Sequence, residues 1–300
     1  MKKKENETTN ATIISAAGDH RYYRLTNDYM FKVVMQNSKG TLKALICSML
    51  GIDRTELTSC DILNPIELGD AVTDKTCILD LKLLLNGTEL IDLEMQVSNF
   101  KDWTKRSMLY WCRNFDDIKE GKSYAELKKT IHLGILDFTL FEDHPEFYAQ
   151  YKILNVKDGY PYGDLLDIRV LDLTNIDLAS PEESQIALWA KIFKANSWDE
   201  LQELASQMTW AKEEAENMVV TMRKVTEEEK IRWQIQQRED YDHTMASQYE
   251  SGFEDGITAG IEQGVKQGIK QEHEKTLAAE AKLREAELKI AELLKLQEHK

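Results

Sequence analysis

The stretch CILDLKLLLNGTELIDLEMQVS, residues 77–98, decides the fold of this chain. It reads as two strands joined at Asn86-Gly87, the dipeptide that best signals a tight two-residue hairpin. In the second strand Ile91, Leu93, Met95 and Val97 alternate with Asp92, Glu94, Gln96 and Ser98, giving one apolar face and one acidic, amide-bearing face. In the first strand Leu79, Leu81, Leu83 and Leu85 form one face, while Asp80 and Lys82 share the other with Ile78 and Leu84. Apolar residues on both sides of the first strand point to burial on both faces, so Asp80 is not simply solvated. If Asp80 lies on the side of Glu94 and Gln96, two carboxylates meet across the hairpin. Like charges so placed repel unless a cation or a proton stands between them. The alternative is an ordinary wet face of antiparallel strands with solvated acids.

Outward from the hairpin, helices and strands alternate. A helix capped by Thr26, Asn27 or Asp28 carries Tyr29, Phe31, Val33, Val34 and Met35, and a second, from Thr41, stops at Gly51. Residues 60–68 read as an edge strand or a strand with a bulge, because Pro65 lacks a ladder donor. After the hairpin come a helix over about 100–120 and the apolar run IHLGILDF at 131–138, in which Gly134 implies close approach by another element. Two more strands are expected at 147–156 and 165–173. The pattern predicts an α/β or α+β layered fold, a mixed sheet with helices packed on it. Ser180-Pro181-Glu182-Glu183 opens a helical region.

The terminal segment holds a repeat. Gly252, Gly256, Gly260, Gly264 and Gly268 recur every four residues, each followed by an apolar residue: Phe253, Ile257, Ile261, Val265 and Ile269. On a helix these form two adjacent stripes, with each glycine costing about 1 kcal/mol relative to alanine. The reading is close helix–helix contact, within the chain or between copies in a homo-oligomer, followed by a short coiled-coil tail; the alternative is a flexible tail. The predicted organisation is a tail (1–19), a core domain (20–175), a helical extension (176–250) and the Gly-stripe helix with its tail (251–300).

Bulk composition excludes several classes. A formal net charge of −15 argues against a globally basic nucleic-acid binder but leaves room for a local basic groove. Four cysteines without a CxxC argue against zinc and disulfides, and the six histidines form no HxxxH or HxH pair. No run approaches the roughly 20 apolar residues of a membrane span. The expectation is a cytoplasmic protein with no membrane partner.

The hairpin and its neighbours also carry a resemblance. LTNDYMFKVVM at 25–35, IDLEMQVSNFKDWTKRSMLYW at 91–111, KSYAELKKTIHLGIL at 122–136 and the terminal glycine repeat resemble the PD-(D/E)xK nuclease superfamily. More narrowly they resemble the Rpn-type recombination-promoting nucleases and transposases, over roughly residues 22–270. The resemblance implies a restriction-endonuclease-like mixed sheet flanked by helices, with an α-helical C-terminal extension. It implies a DNA endonuclease in which Asp80 and Glu94 bind Mg²⁺ or Mn²⁺ and the carbonyl of Met95 completes the coordination. Gln96 stands where lysine is usual, so it orients the attacking water without supplying charge. Asp28 reads as an accessory acid or only a helix cap, and Glu67 as an accessory acid or a surface strand-end acid. Lys82 reads as a replacement for the absent lysine or the partner of an acid, and Lys105 and Arg106 as phosphate contacts or a solvated helix face. The competing reading is a catalytically weak nuclease fold that binds DNA or protein and assembles through its terminal helix.

Overall fold

The computed structural model describes residues 21–65, 80–116 and 123–298. Its six-stranded sheet has the order β1-β2-β3-β4-β6-β5, comprising Cys60–Ile62, Leu81–Leu85, Glu89–Gln96, Lys129–Leu136, Leu166–Asp172 and, at the far edge, β5, Tyr148–Tyr151. Strands β3, β4 and β6 run parallel; β1, β2 and β5 pair antiparallel to their neighbours. Helix α3, Trp103–Phe115, makes the crossover that two parallel neighbours require.

The hairpin forms where the sequence places it, with one change at the turn. Asn86 and Gly87 both take positive φ, 49° and 74°, and the Thr88 N–H donates to the Leu85 carbonyl at 2.9 Å. The ladder pairs Leu85 with Glu89, so three residues lie between the strands instead of two. The extra residue sets the register in which Leu81 faces Leu93 and Lys82 faces Asp92.

Leu81, Leu83, Leu85, Ile91, Leu93, Met95, Ile131, Leu133 and Ile135 form the apolar face of the sheet, and helices cover it. Helix α1, Asp28–Asn37, is buried from Tyr29 to Met35 and is capped by Asn27, whose Oδ1 accepts the Met30 N–H at 2.9 Å. Helix α2, Lys39–Leu50, ends at Gly51 with φ 68°, as a glycine C-cap allows.

The span read as an extension packs on the same core. Helices α4 (Ser184–Lys194), α5 (Trp198–Ser206) and α6 (Lys212–Glu227) bury Trp189, Phe193, Leu201, Met218 and Met222 in one cluster with α1 and α2. Their apolar residues are diluted in sequence by charged faces, but each helix gathers them into a stripe. The strand expected at 147–156 ends at Tyr151, because residues 154–161 close a tight turn in which the Asn155 N–H donates to the Tyr160 carbonyl at 2.8 Å.

Contacts divide the described chain after His243. Helix α7 spans Glu229–Glu298; its first turns bury Ile231 and Ile235 in the core of the first unit. In the second unit the stripe residues are exposed, Phe253 at 62% and Ile269 at 66%, and nothing lies within 4 Å of the space beside each stripe glycine. Among the described residues no helix is long and apolar enough to cross a membrane.

Candidate active site

The second face of the sheet is polar at its centre, and the hairpin register builds it. Lys82, Asp92 and His132 lie side by side on β2, β3 and β4, and Glu94 pairs with Gly134 one pleat on. Asp80, just before β2, is 6% exposed; Asp92 is 1% and His132 0% exposed. Helix α3 covers this face because Gly134 leaves room for it. A Cβ there would stand 2.2 Å from the Trp103 ring, so the indole seats directly on the strand beside Glu94. The Trp103 ring centroid lies 5.4 Å from that of His132, and the Arg106 guanidinium lies 5.5 Å from the indole centroid.

Two buried carboxyls, Asp80 and Asp92, lie near enough to shift one another. Burial, the hydrogen bond to Asp92 and the charge of Asp92 push Asp80 up to about 8. Burial acts to raise Asp92 too, but the His132 hydrogen bond and the bond from Asp80 outweigh it and hold Asp92 below its ordinary value. Of the two, Asp80 is the carboxyl that more readily holds a proton. Asp92 Oδ2 also accepts from His132 Nδ1 at 3.2 Å and from Asn114 Nδ2 at 3.1 Å. Asp80 is fixed through its backbone: its carbonyl accepts from Lys32 Nζ and from Asn64 Nδ2, each at 2.9 Å.

Glu94 is held by a cation. Arg106 Nη2 donates to Glu94 Oε1 at 2.8 Å and to Gln96 Oε1 at 2.6 Å, while Gln96 Nε2 donates to the Ser98 carbonyl at 3.1 Å. Burial raises the Glu94 carboxyl, opposed by Arg106 and His132. Four buried atoms of the site have no hydrogen-bond partner: Asp92 Oδ1, Glu94 Oε2, Arg106 Nε and His132 Nε2.

The structure brings together Asp80, Glu94, Gln96, Lys82 and Arg106 from the residues named in the sequence. Arg106 sits on the two site residues of β3, while Lys105 is exposed on α3. The Met95 side chain lies in the core. Asp28 is engaged by Arg238 of α7, whose Nε donates to Asp28 Oδ2 at 2.7 Å; Glu67 lies outside the described residues. Asp92, His132, Asn114, Lys32 and Trp103 join the site without having been singled out for it. Asp92 was legible in the alternation with Glu94. His132 was hidden in an apolar run and placed only by the parallel register, which no local pattern encodes.

Hard carboxylate donors on adjacent strands suit a divalent ion in their chemistry, and one Glu94 oxygen is buried without a partner. Among the described residues no three His, Cys, Asp or Glu side chains converge as a metal site, and Arg106 engages Glu94. No curated protein and no solved structure matches the chain. The polar face, the mixed sheet and the covering helices agree with a family match: the model of the PD-(D/E)XK nuclease family transposases covers residues 25–252, and the chain belongs to that family.

Proposed function

We propose that the chain is a divalent-metal-dependent DNA endonuclease acting in recombination or on mobile elements. The observation that carries this reading is the burial of the Asp80 and Asp92 carboxyls on the sheet face that also presents Glu94. Asp80 and Glu94, with the Met95 carbonyl, are the residues to hold the ion. Such an ion would supply electrostatic stabilisation to the phosphoryl group under attack. Gln96 keeps one lone pair of its carbonyl for the attacking water while the other accepts from Arg106. Arg106 thereby places permanent positive charge beside Gln96, where the family pattern expects lysine. Lys105, exposed one residue away on α3, is suited to a phosphate. Asp28 is an accessory acid through α1, and Lys82 faces Asp92 across the hairpin.

Lys32 and Lys82 both favour the ionised form of Asp80, so removing the acid itself is the cleaner test. In a nicking assay on supercoiled plasmid with Mg²⁺ or Mn²⁺, Asp80→Ala and Glu94→Ala should each lower the rate by about 10²–10³-fold or more. Wild-type cleavage by both variants would sink the proposal.

A second reading, a nuclease-fold module that binds DNA or protein with little catalysis, is favoured by one observation. Glu94 is neutralised by Arg106 and no three donors converge among the described residues. A wild-type chain that binds duplex DNA but does not nick it at millimolar metal selects this reading. In either case two copies pair through the exposed stripe at Phe253, Ile257, Ile261, Val265 and Ile269.

A further inference from the structure

Beside the candidate site the same sheet face turns apolar. Ile168 and Val170 of β6 pair with His132 and Gly134, so they lie on that face. With Trp103 and Met108 of α3, and with Phe141 and Tyr151, they line an open cavity of about 210 Å³. That volume falls below the roughly 300–1,000 Å³ of sites for drug-sized ligands and suits a single ring system. Met108, Phe141 and Tyr151 are exposed, and the two rings meet edge to face with centroids 6.5 Å apart. Apolar side chains gathered around an open cavity mark a place that a ligand covers.

Two observations say what covers this one. The cavity is continuous with the site: the Trp103 indole that lines it also seats on Gly134 beside Glu94, with the Arg106 guanidinium against its ring. The helix that borders it is basic in an acidic chain. Helix α3 carries Lys105, Arg106 and Arg113 and no Asp or Glu, against a net charge of −15 for the whole, and Lys105 and Arg113 are exposed. Acids follow Phe141 in the chain, Glu142, Asp143 and Glu146, which keeps a phosphate backbone on the α3 side of the cavity.

We propose that the cavity takes one unpaired nucleobase of a strand whose phosphates lie along α3. This inference rests on the nuclease reading above and gives it a preference for single-stranded or locally opened DNA. A base inside a duplex is stacked between its neighbours and cannot enter, whereas an unpaired base is free to stack on aromatic side chains. Recognition is by ring face and tolerates any base. Apart from the Thr104 and Ser107 hydroxyls the lining side chains are apolar, and the Ser107 hydroxyl already donates to the Thr104 carbonyl at 3.3 Å.

The test is photocrosslinking of the full chain to single-stranded oligothymidylates in which 5-iodouracil replaces one thymine at a time, with Ca²⁺ in place of Mg²⁺ so that the strand is held and not cut. Peptide mass spectrometry should find adducts on Trp103, Met108, Phe141 or Tyr151. Phe141→Ala and Tyr151→Ala should each weaken single-strand binding about 5–150-fold, the loss of one stacked base, and leave duplex binding within about twofold. The wild-type crosslink needs no substitution, so it decides the question even if a variant does not fold. A bound strand with its adducts elsewhere, or single-strand affinity unchanged in both variants, overturns the pocket and leaves the nuclease reading intact. Loss of self-association in Tyr151→Ala with unchanged strand affinity assigns the cavity to a second copy of the chain instead. No binding of single-stranded or duplex DNA by the wild type overturns both.

Discussion

The smallest feature with the largest consequence is Gly134. The missing Cβ lets Trp103 rest on β4, and through Trp103 it fixes Arg106 over Glu94 and Gln96. Gly134→Ala should cost about 1–3 kcal/mol, the ordinary penalty of overpacking, read as a shift in the denaturant midpoint. It should also slow nicking, because the indole cannot shift without taking helix α3 with it. A variant with wild-type stability and rate would show that the contact is slack. The sequence signals close approach at Gly134 but not the identity of the partner, since nothing local links a β4 glycine to a tryptophan 31 residues earlier. The same limit separates Asp80 and Glu94, visible through alternation, from His132, visible only once β3 and β4 are paired.

At the scale of elements, the hairpin, helix α1 and the α3 crossover were readable because each has a local physical signature: an Asn-Gly turn, an Asn cap, a Gly inside an apolar run. The packing of α4–α6 was not, because amphipathic helices share one pattern whether they join a core or extend from it. Helix α4 is now the sharper test of that packing. Trp189 is buried, stacks on Phe193 at 5.9 Å and donates from Nε1 to Ser48 Oγ at 3.2 Å. Trp189→Ala should cost about 3–5 kcal/mol by chemical denaturation, whereas an appendage helix would lose little.

Helix α1 meets α7 through Asp28, Arg238 and Asp242, and this junction makes stability pH-dependent. Burial pushes Asp28 up to about 7 against the pull of Arg238, with Asp242 adding to the rise. Its folded value exceeds its unfolded one, so its contribution is complete below pH 4 and is lost as pH rises through about 7. Melting temperature should therefore fall between pH 5 and pH 8, and Asp28→Asn should flatten the fall. Some slope should persist in that variant, because Glu239, also held near 7 by burial, shifts the same way. An unchanged pH profile in Asp28→Asn would remove Asp28 from this account.

For the molecule as a whole, the division after His243 separates a core that carries the chemistry from a helix that carries an exposed apolar stripe. A repeat of four residues advances the stripe by about 40° per step around a helix, in the right-handed sense. That geometry suits a short crossing of two helices over a long parallel seam. Ile257→Glu with Ile261→Glu should shift the protein from dimer to monomer in sedimentation velocity and leave its melting temperature unchanged; a wild type that is already monomeric would remove the stripe as an interface.

The account stands on the polar face of the β2–β3 hairpin holding a divalent ion. Isothermal titration of Mn²⁺ into the full chain tests this most directly. The account predicts saturable binding at one site in the wild type and its loss in Asp80→Ala, with the variant still folded by circular dichroism. Absence of binding to the wild type at millimolar Mn²⁺, or unchanged binding to Asp80→Ala, would contradict it.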